Sequence, residues 1–195
     1  MKPLSGRTRE SQQNGGVWRD QRGTSAIEFA LLAPVIILMY IGAAEIGNLL
    51  TVDRRVESVA STAADLTAQV REVSNADLAD IVAASTSILT PYPTTPLKVV
   101  LSSVVADQNN AGKVAWSYSS SGSGRAVGSS YALPTGTTEA YSSVIVVEVT
   151  YAFTPLLALK KCPILATDPC FNPGAFNLQR TFYARPRRSL TVAKI

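Results

Sequence analysis

Histidine is missing from all 195 residues, and cysteine occurs only as Cys162 and Cys170. Without histidine there is no Ser-His-Asp or Cys-His nucleophile and no histidine-ligated zinc or iron. Two cysteines cannot build a four-cysteine metal site. Charge is scarce as well: Asp, Glu, Lys and Arg make up 16% of the chain, against about 25% in ordinary soluble domains. The deficit lies between Phe29 and Ala44, a run with no charged residue. Carboxylates outside the N-terminal third, such as Asp107, Glu139, Glu148 and Asp168, have no spacing that suggests a general acid and base pair. The composition argues against an enzyme and implies no cofactor, and it points to attachment to a membrane.

The formal net charge of +4 does not imply nucleic acid. Lys2, Arg7, Arg9, Arg19 and Arg22, against Glu10 and Asp20, place five minus two, or +3, within residues 1–23. A second cluster of Arg185, Arg187 and Arg188, with Arg180 nearby, lacks the interleaved aromatics of a nucleic-acid surface.

Residues 1–23 are polar, have neither helical nor strand period, and read as a basic leader. From Ala26 to Leu50 the chain is apolar, with Glu28 and Glu45 near its two ends. At about 1.5 Å per residue that length crosses a hydrocarbon core of about 30 Å. The positive charge before it places residues 1–23 in the cytoplasm and the rest of the chain beyond the cytoplasmic membrane. Helical periodicity then continues: Val52, Val56, Val59, Ala63, Leu66, Val70 and Val73 step by four and three, with charged residues on the other faces. One helix is therefore expected over residues 24–73, transmembrane over 24–50 and amphipathic over 51–73, followed by an exported domain over 74–195. Pro34 is a possible kink.

Glu28 is the anomaly, since an acid just inside an apolar span costs a few kcal/mol unless it is paired or lies at the interface. A snorkelling side chain with Arg22 nearby is one answer. The surrounding residues supply another. Gly23-Thr24-Ser25-Ala26-Ile27-Glu28-Phe29 resembles the processing site of type IV prepilins, with a basic leader, Gly, then Glu followed by an aromatic residue. The longer run RGTSAIEFALLAPVIILMYIGAAEIG resembles TadE-like proteins, the minor pseudopilins of the Flp or tight-adherence pilus system. The resemblance covers roughly residues 20–65, with a fainter echo in YARPRRS at 183–189.

That resemblance implies cleavage after Gly23 by a membrane aspartic prepilin peptidase, with Thr24 as the new N-terminus. Glu28 would then pair with a free N-terminal amine, its own or a neighbour's, and help set register during assembly. Phe29 stands where Flp-type sites commonly carry Tyr; it keeps the ring and loses the hydroxyl. Other pilins and minor pseudopilins, the assembly machinery and the peptidase are the implied partners, and the subunit either remains in the membrane or enters the fibre. A secretory signal cut after Gly42-Ala43-Ala44 is the rival. Glu28 would interrupt its apolar core, and the cut would sever a helical period that continues to Val73. A membrane-tethered periplasmic or surface binding module with an uncleaved anchor is the alternative function.

In the exported part, Ser74 and Asp77 have cap spacing before a short helix over 76–89 that Pro91 and Pro93 end. LKVVLSSVVA (97–106) and VAWSYS (114–119) read as a hairpin, with Val114, Trp116 and Tyr118 on one face. Residues 119–140 read as a long exposed Gly/Ser-rich loop, too polar to pack, and SGSGRAVG lacks the Gly-Lys-Ser/Thr ending of a phosphate loop. SSVIVVEVTYAFTP (142–155) is the strongest strand, and one or two more are expected within 176–192. Trp116, Tyr118 and Tyr151 are expected as core against the long helix. Cys162 and Cys170 bracket PILATDP and, beyond the membrane, are expected as a disulfide. The expected fold is α+β and pilin-like: a long N-terminal helix packed on a small antiparallel sheet of about four strands.

Overall fold

The computed structural model describes residues 23–109, 111–134, 136–155 and 174–195. Packing divides the chain into two units, Met1–Ala44 and Glu45–Ile195. Helix α1 spans Thr24–Ala68 without interruption at Pro34.

In the first unit the described residues form the N-terminal part of α1, and its large apolar side chains find no protein cover. Leu31 is 73% exposed and Tyr40 74%, and Ile27, Phe29, Leu38 and Met39 are similar. Keeping such side chains in water rather than buried costs about 1.5–3 kcal/mol each. A helix apolar on every side belongs in a protein core or a bilayer. This one is long and apolar enough to cross a membrane.

In the second unit α1 is amphipathic, as the periodicity requires. Val52, Val56, Val59, Ala60, Ala63 and Ala64 are buried and share one core with the sheet. The helix ends at Ala68, five residues before the expected stop. The Ala68 carbonyl accepts the Arg187 N–H at 2.9 Å, so the C-terminal segment satisfies a helix-end acceptor. Glu72–Val73 then form a short strand, β1, paired in parallel with Ala193–Lys194. Val73 is still fully buried, but from extended backbone.

Helix α2, Asn75–Thr86, begins with the expected cap. The Asp77 N–H donates to Ser74 Oγ at 3.2 Å, and the Ser74 N–H donates to Asp77 Oδ2 at 2.9 Å. These bonds to the charged form, the backbone one foremost, lower the Asp77 pKa. A short 3-10 turn, Ser87–Leu89, continues the helix and buries Leu89.

Strands β2 (Leu97–Ala106), β3 (Gly112–Ser119), β4 (Ser130–Tyr131), β5 (Ser143–Phe153) and β6 (Phe176–Ala184) form one antiparallel sheet in the order β4-β3-β2-β5-β6. The final short strand, Ala193–Lys194, is β7. Alternation on β5 sends Ile145, Val147, Val149, Tyr151 and Phe153 into the core that holds the α1 seam. Trp116 and Tyr151 are buried in that core and Tyr118 packs against it, and Trp116 Nε1 donates to the Val192 carbonyl at 2.8 Å.

Two further expectations need correction. Val114 does not share a face with Trp116 and Tyr118. The ladder passes from Ser103↔Trp116 to Val104↔Val114, so Ala115 is an inserted residue. The bulge turns Val114 to the opposite face, where it clusters with Val104, Val144 and Val146. The second correction concerns 119–140, which is not merely an exposed loop. It supplies β4, and Tyr131 and Leu133 cover that valine cluster.

Candidate functional site

Gly23, Thr24, Glu28 and Phe29 lie together where α1 begins. Gly23 immediately precedes the helix and is exposed, with no atom within 4 Å of a Cβ built on it. Thr24 is the first helical residue. Glu28 follows by four positions, hence on the same side of the helix about 6 Å along its axis. Cα–Cβ bonds in a helix tilt toward its N-terminus, so that of Glu28 leans toward the turn that begins at Thr24. Phe29 is 69% exposed. Cys162, Cys170 and the basic residues of the leader lie outside the described residues.

The C-terminal basic cluster is built into the second unit. Arg180 pairs with Asp53 and Arg187 with Asp65, which fastens β6 and the following segment to α1. Arg185 donates from Nε to the Thr137 carbonyl at 2.8 Å and from Nη2 to the Gly136 carbonyl at 3.0 Å, with Glu139 at 3.8 Å. Between α1 and β6 lies a groove of ≈ 680 Å³, lined in part by Ser61, Asp65, Leu66, Phe182 and Arg187. Residues this far apart in sequence carry no shared local signal, so sequence reasoning missed the groove.

Reasoning from composition also missed the polar cluster on the other sheet face. Arg125 Nε donates to Glu148 Oε2 at 2.8 Å and Nη2 to Oε1 at 2.5 Å, while the guanidinium lies 4.6 Å from the Tyr131 ring centre. The Glu148 hydrogen bond raises the Arg125 pKa, and burial raises that of Tyr131, with a bond to Tyr183 adding to it. Another cation anchors the chain after α2: Arg55 Nη1 donates to the Ile88 carbonyl at 2.9 Å and to the Thr90 carbonyl, and the Tyr92 hydroxyl bonds Asn48 Oδ1 at 2.6 Å. Among the described residues no group of three His, Cys, Asp or Glu could hold a metal ion.

An apolar helix leading into an amphipathic half on an antiparallel sheet is the pilin-like α+β arrangement. The family model described as TadE-like protein matches residues 23–65, within the span that carried the resemblance in the sequence. The matched segment starts at the residue before α1 and ends three residues before the helix does. No curated protein and no solved structure matches the chain.

Proposed function

We propose that this chain is a minor pseudopilin, a non-enzymatic structural subunit in the assembly of a Flp-type adhesion pilus. The observation that carries the reading is the TadE-like match beginning at Gly23, one residue ahead of the apolar helix. The basic leader stays in the cytoplasm, α1 crosses the cytoplasmic membrane once, and the sheet domain lies beyond it. Prepilin peptidase cuts after Gly23, and the Thr24 amine it frees supplies a cation for Glu28. In a low-dielectric setting an unpaired acid is costly, so pairing with its own or a neighbour's amine favours one register between adjacent helices. The partners are other pilins, minor pseudopilins and the assembly machinery. Beyond the membrane, where thiols are oxidised, Cys162 and Cys170 form a disulfide.

Intact-mass and N-terminal analysis from the native membrane, with and without prepilin peptidase, tests this. A chain starting at Thr24 only when the peptidase is present supports the pilin route. A start at Met1 would leave an uncleaved anchor, and a start at Glu45 a secreted domain.

The second reading is a membrane-tethered binding module. It is favoured by the family match ending at residue 65, which leaves the whole five-stranded sheet outside it. Replacing residues 1–50 by an unrelated single-pass anchor separates the two: retained function supports the tether, and lost piliation the pseudopilin.

A further inference from the structure

We propose that two copies of this chain pack their α1 helices in parallel and offset along the axis, the Tyr40 hydroxyl of one donating to the Ala30 carbonyl of the next. The inference rests on α1 spanning the membrane and not on the cut after Gly23. Both groups belong to the first unit. Pro34 lies inside a helix that continues through it. Proline has no backbone N–H, so the bond it would give the carbonyl four residues back, that of Ala30, cannot form, and the ring crowds that carbonyl. Ala30 is itself exposed. The apolar part of α1 therefore carries a spare acceptor on its surface.

It also carries a spare donor. Tyr40 is 74% exposed, and among the described residues no group accepts from its hydroxyl. Tyrosines of membrane helices usually sit in the interfacial belts, where the hydroxyl meets water. Tyr40 does not: it stands ten residues before Leu50 and fourteen after Ala26, or about 15 Å and 21 Å along the helix from the two ends of the apolar span. At that depth no water satisfies a donor or an acceptor, so each gains by finding the other.

Within one helix the two groups are ten residues, about 15 Å, apart and cannot meet. A second copy displaced toward the C-terminal end of the first brings its Ala30 up to the first copy's Tyr40. The Cα–Cβ bond of Tyr40 leans toward the N-terminus and the helix carbonyl points toward the C-terminus, so both shorten the gap and the offset is less than about 15 Å. The displacement has the same sense as the one that carries a neighbour's Thr24 toward Glu28. Ala26, Ala30 and Ala33 share the face of the spare carbonyl, and side chains this small let a neighbouring helix come close. At about 100° per residue, Tyr40 and Ala30 lie some 80° apart around the axis, so the contact joins two different faces and leaves each pair with a donor and an acceptor for further copies. A copy of this chain supplies both halves of the bond and enters the membrane with the same polarity. An unrelated apolar helix would need its own spare donor and acceptor at a matching interval.

The test places a photo-crosslinking residue singly at Ile36 or Ala43, on the Tyr40 side of the helix, in the full chain in its native membrane beside an isotopically heavy copy, and maps the crosslinked pairs by mass spectrometry. In a parallel offset pair, seven residues forward on one helix are seven forward on the other. The paired numbers therefore keep a constant difference, the crosslinker's number being the higher. Tyr40→Phe should lower the yield about three- to tenfold with the amount of inserted protein unchanged. Pro34→Ala, which returns an N–H to the Ala30 carbonyl, should lower it likewise, and the two together should cost little more than either alone. Additive losses, pairs of equal number, crosslinks to a different polypeptide, or none from inserted protein would each overturn the proposal while leaving the membrane span standing. Release of the chain from membranes by alkaline carbonate would instead remove the span and the proposal with it. None of these outcomes depends on whether the chain is cut after Gly23.

Discussion

Arg125 grips Glu148 through two parallel hydrogen bonds, 2.8 Å from Nε and 2.5 Å from Nη2, and so fastens the Gly/Ser-rich stretch to the middle of β5. The forked geometry makes this stronger than a simple surface pair. Solvent still screens it, because the Arg125 side chain is 39% exposed. Arg125→Ala is expected to lower stability by about 1 kcal/mol, or roughly 2–4 °C in Tm for a chain of this size. Proteolysis within 120–134 should become faster at the same time. Thermal melts and limited proteolysis of the detergent-solubilised chain check both; a changed Tm without faster cleavage would contradict the anchoring role.

The aromatic partner of that grip adds a pH dependence. Burial raises the Tyr131 pKa above its ordinary value of about 10. A group whose folded pKa is raised contributes stability that is complete below the unfolded pKa and is lost as pH rises through the folded one. The 120–134 stretch should therefore loosen on the alkaline side of pH ~10. Tyr131→Phe should abolish that alkaline step in hydrogen exchange while also lacking the hydroxyl bond to Tyr183.

At the start of α2 the sign is opposite. The Ser74 bonds lower the Asp77 pKa, so the stability they lend is present above the ordinary carboxylate value of about 3.9 and is lost as pH falls through the folded pKa. Asp77→Asn should flatten the acid limb of a stability–pH curve, and Ser74→Ala should cost about 1 kcal/mol at neutral pH. Urea melts across the acid range check both.

The two parts of α1 should respond differently to equal truncations. Val56 is fully buried in the core shared with the sheet, whereas Val35 is 55% exposed. Val56→Ala is expected to destabilise the sheet domain by about 2 kcal/mol, through lost transfer energy and a residual cavity. Val35→Ala should leave the melting of that domain unchanged. Equal effects on denaturation of the two variants would contradict the division of the helix.

Periodic features were legible in the sequence. The valine seam from Val52 to Val59 and the limits of β2 follow directly from repeats of 3.6 and 2. What failed to show were events that break or bypass a period. Val70 and Val73 prolong the helical spacing on paper, yet the chain has left the helix by then because residues near 187 and 193 bond its backbone. The Ala115 bulge inverts a strand face without altering local composition. Arg125, Tyr131 and Leu133 dock a polar stretch through isolated side chains that form no pattern. At the candidate site, Gly23, Glu28 and Phe29 form a motif that stands out because they are close in sequence. The groove does not, since Asp53–Arg180 and Asp65–Arg187 join positions more than a hundred residues apart.

Glu28 offers the sharpest test of assembly, because its proposed partner does not exist until the chain is cut. Before cleavage residue 24 has an amide nitrogen; afterwards it has an ammonium group four residues, about one helical turn, from the carboxylate. Removing the acid should therefore leave membrane insertion and the cut after Gly23 intact, and act on the step that follows. Glu28→Gln keeps the shape and loses the charge, so the favourable pairing inside the apolar layer is lost along with its orienting effect on the neighbouring helix. At about 1–3 kcal/mol for such a pairing, incorporation into the pilus assembly should fall by roughly 5- to 150-fold. Glu28→Asp, which keeps the charge on a shorter arm, should fall between the two. Quantifying mature subunit in the membrane and in sheared surface fractions for each variant separates processing from assembly. Normal piliation by cells carrying Glu28→Ala would remove Glu28 from the mechanism altogether.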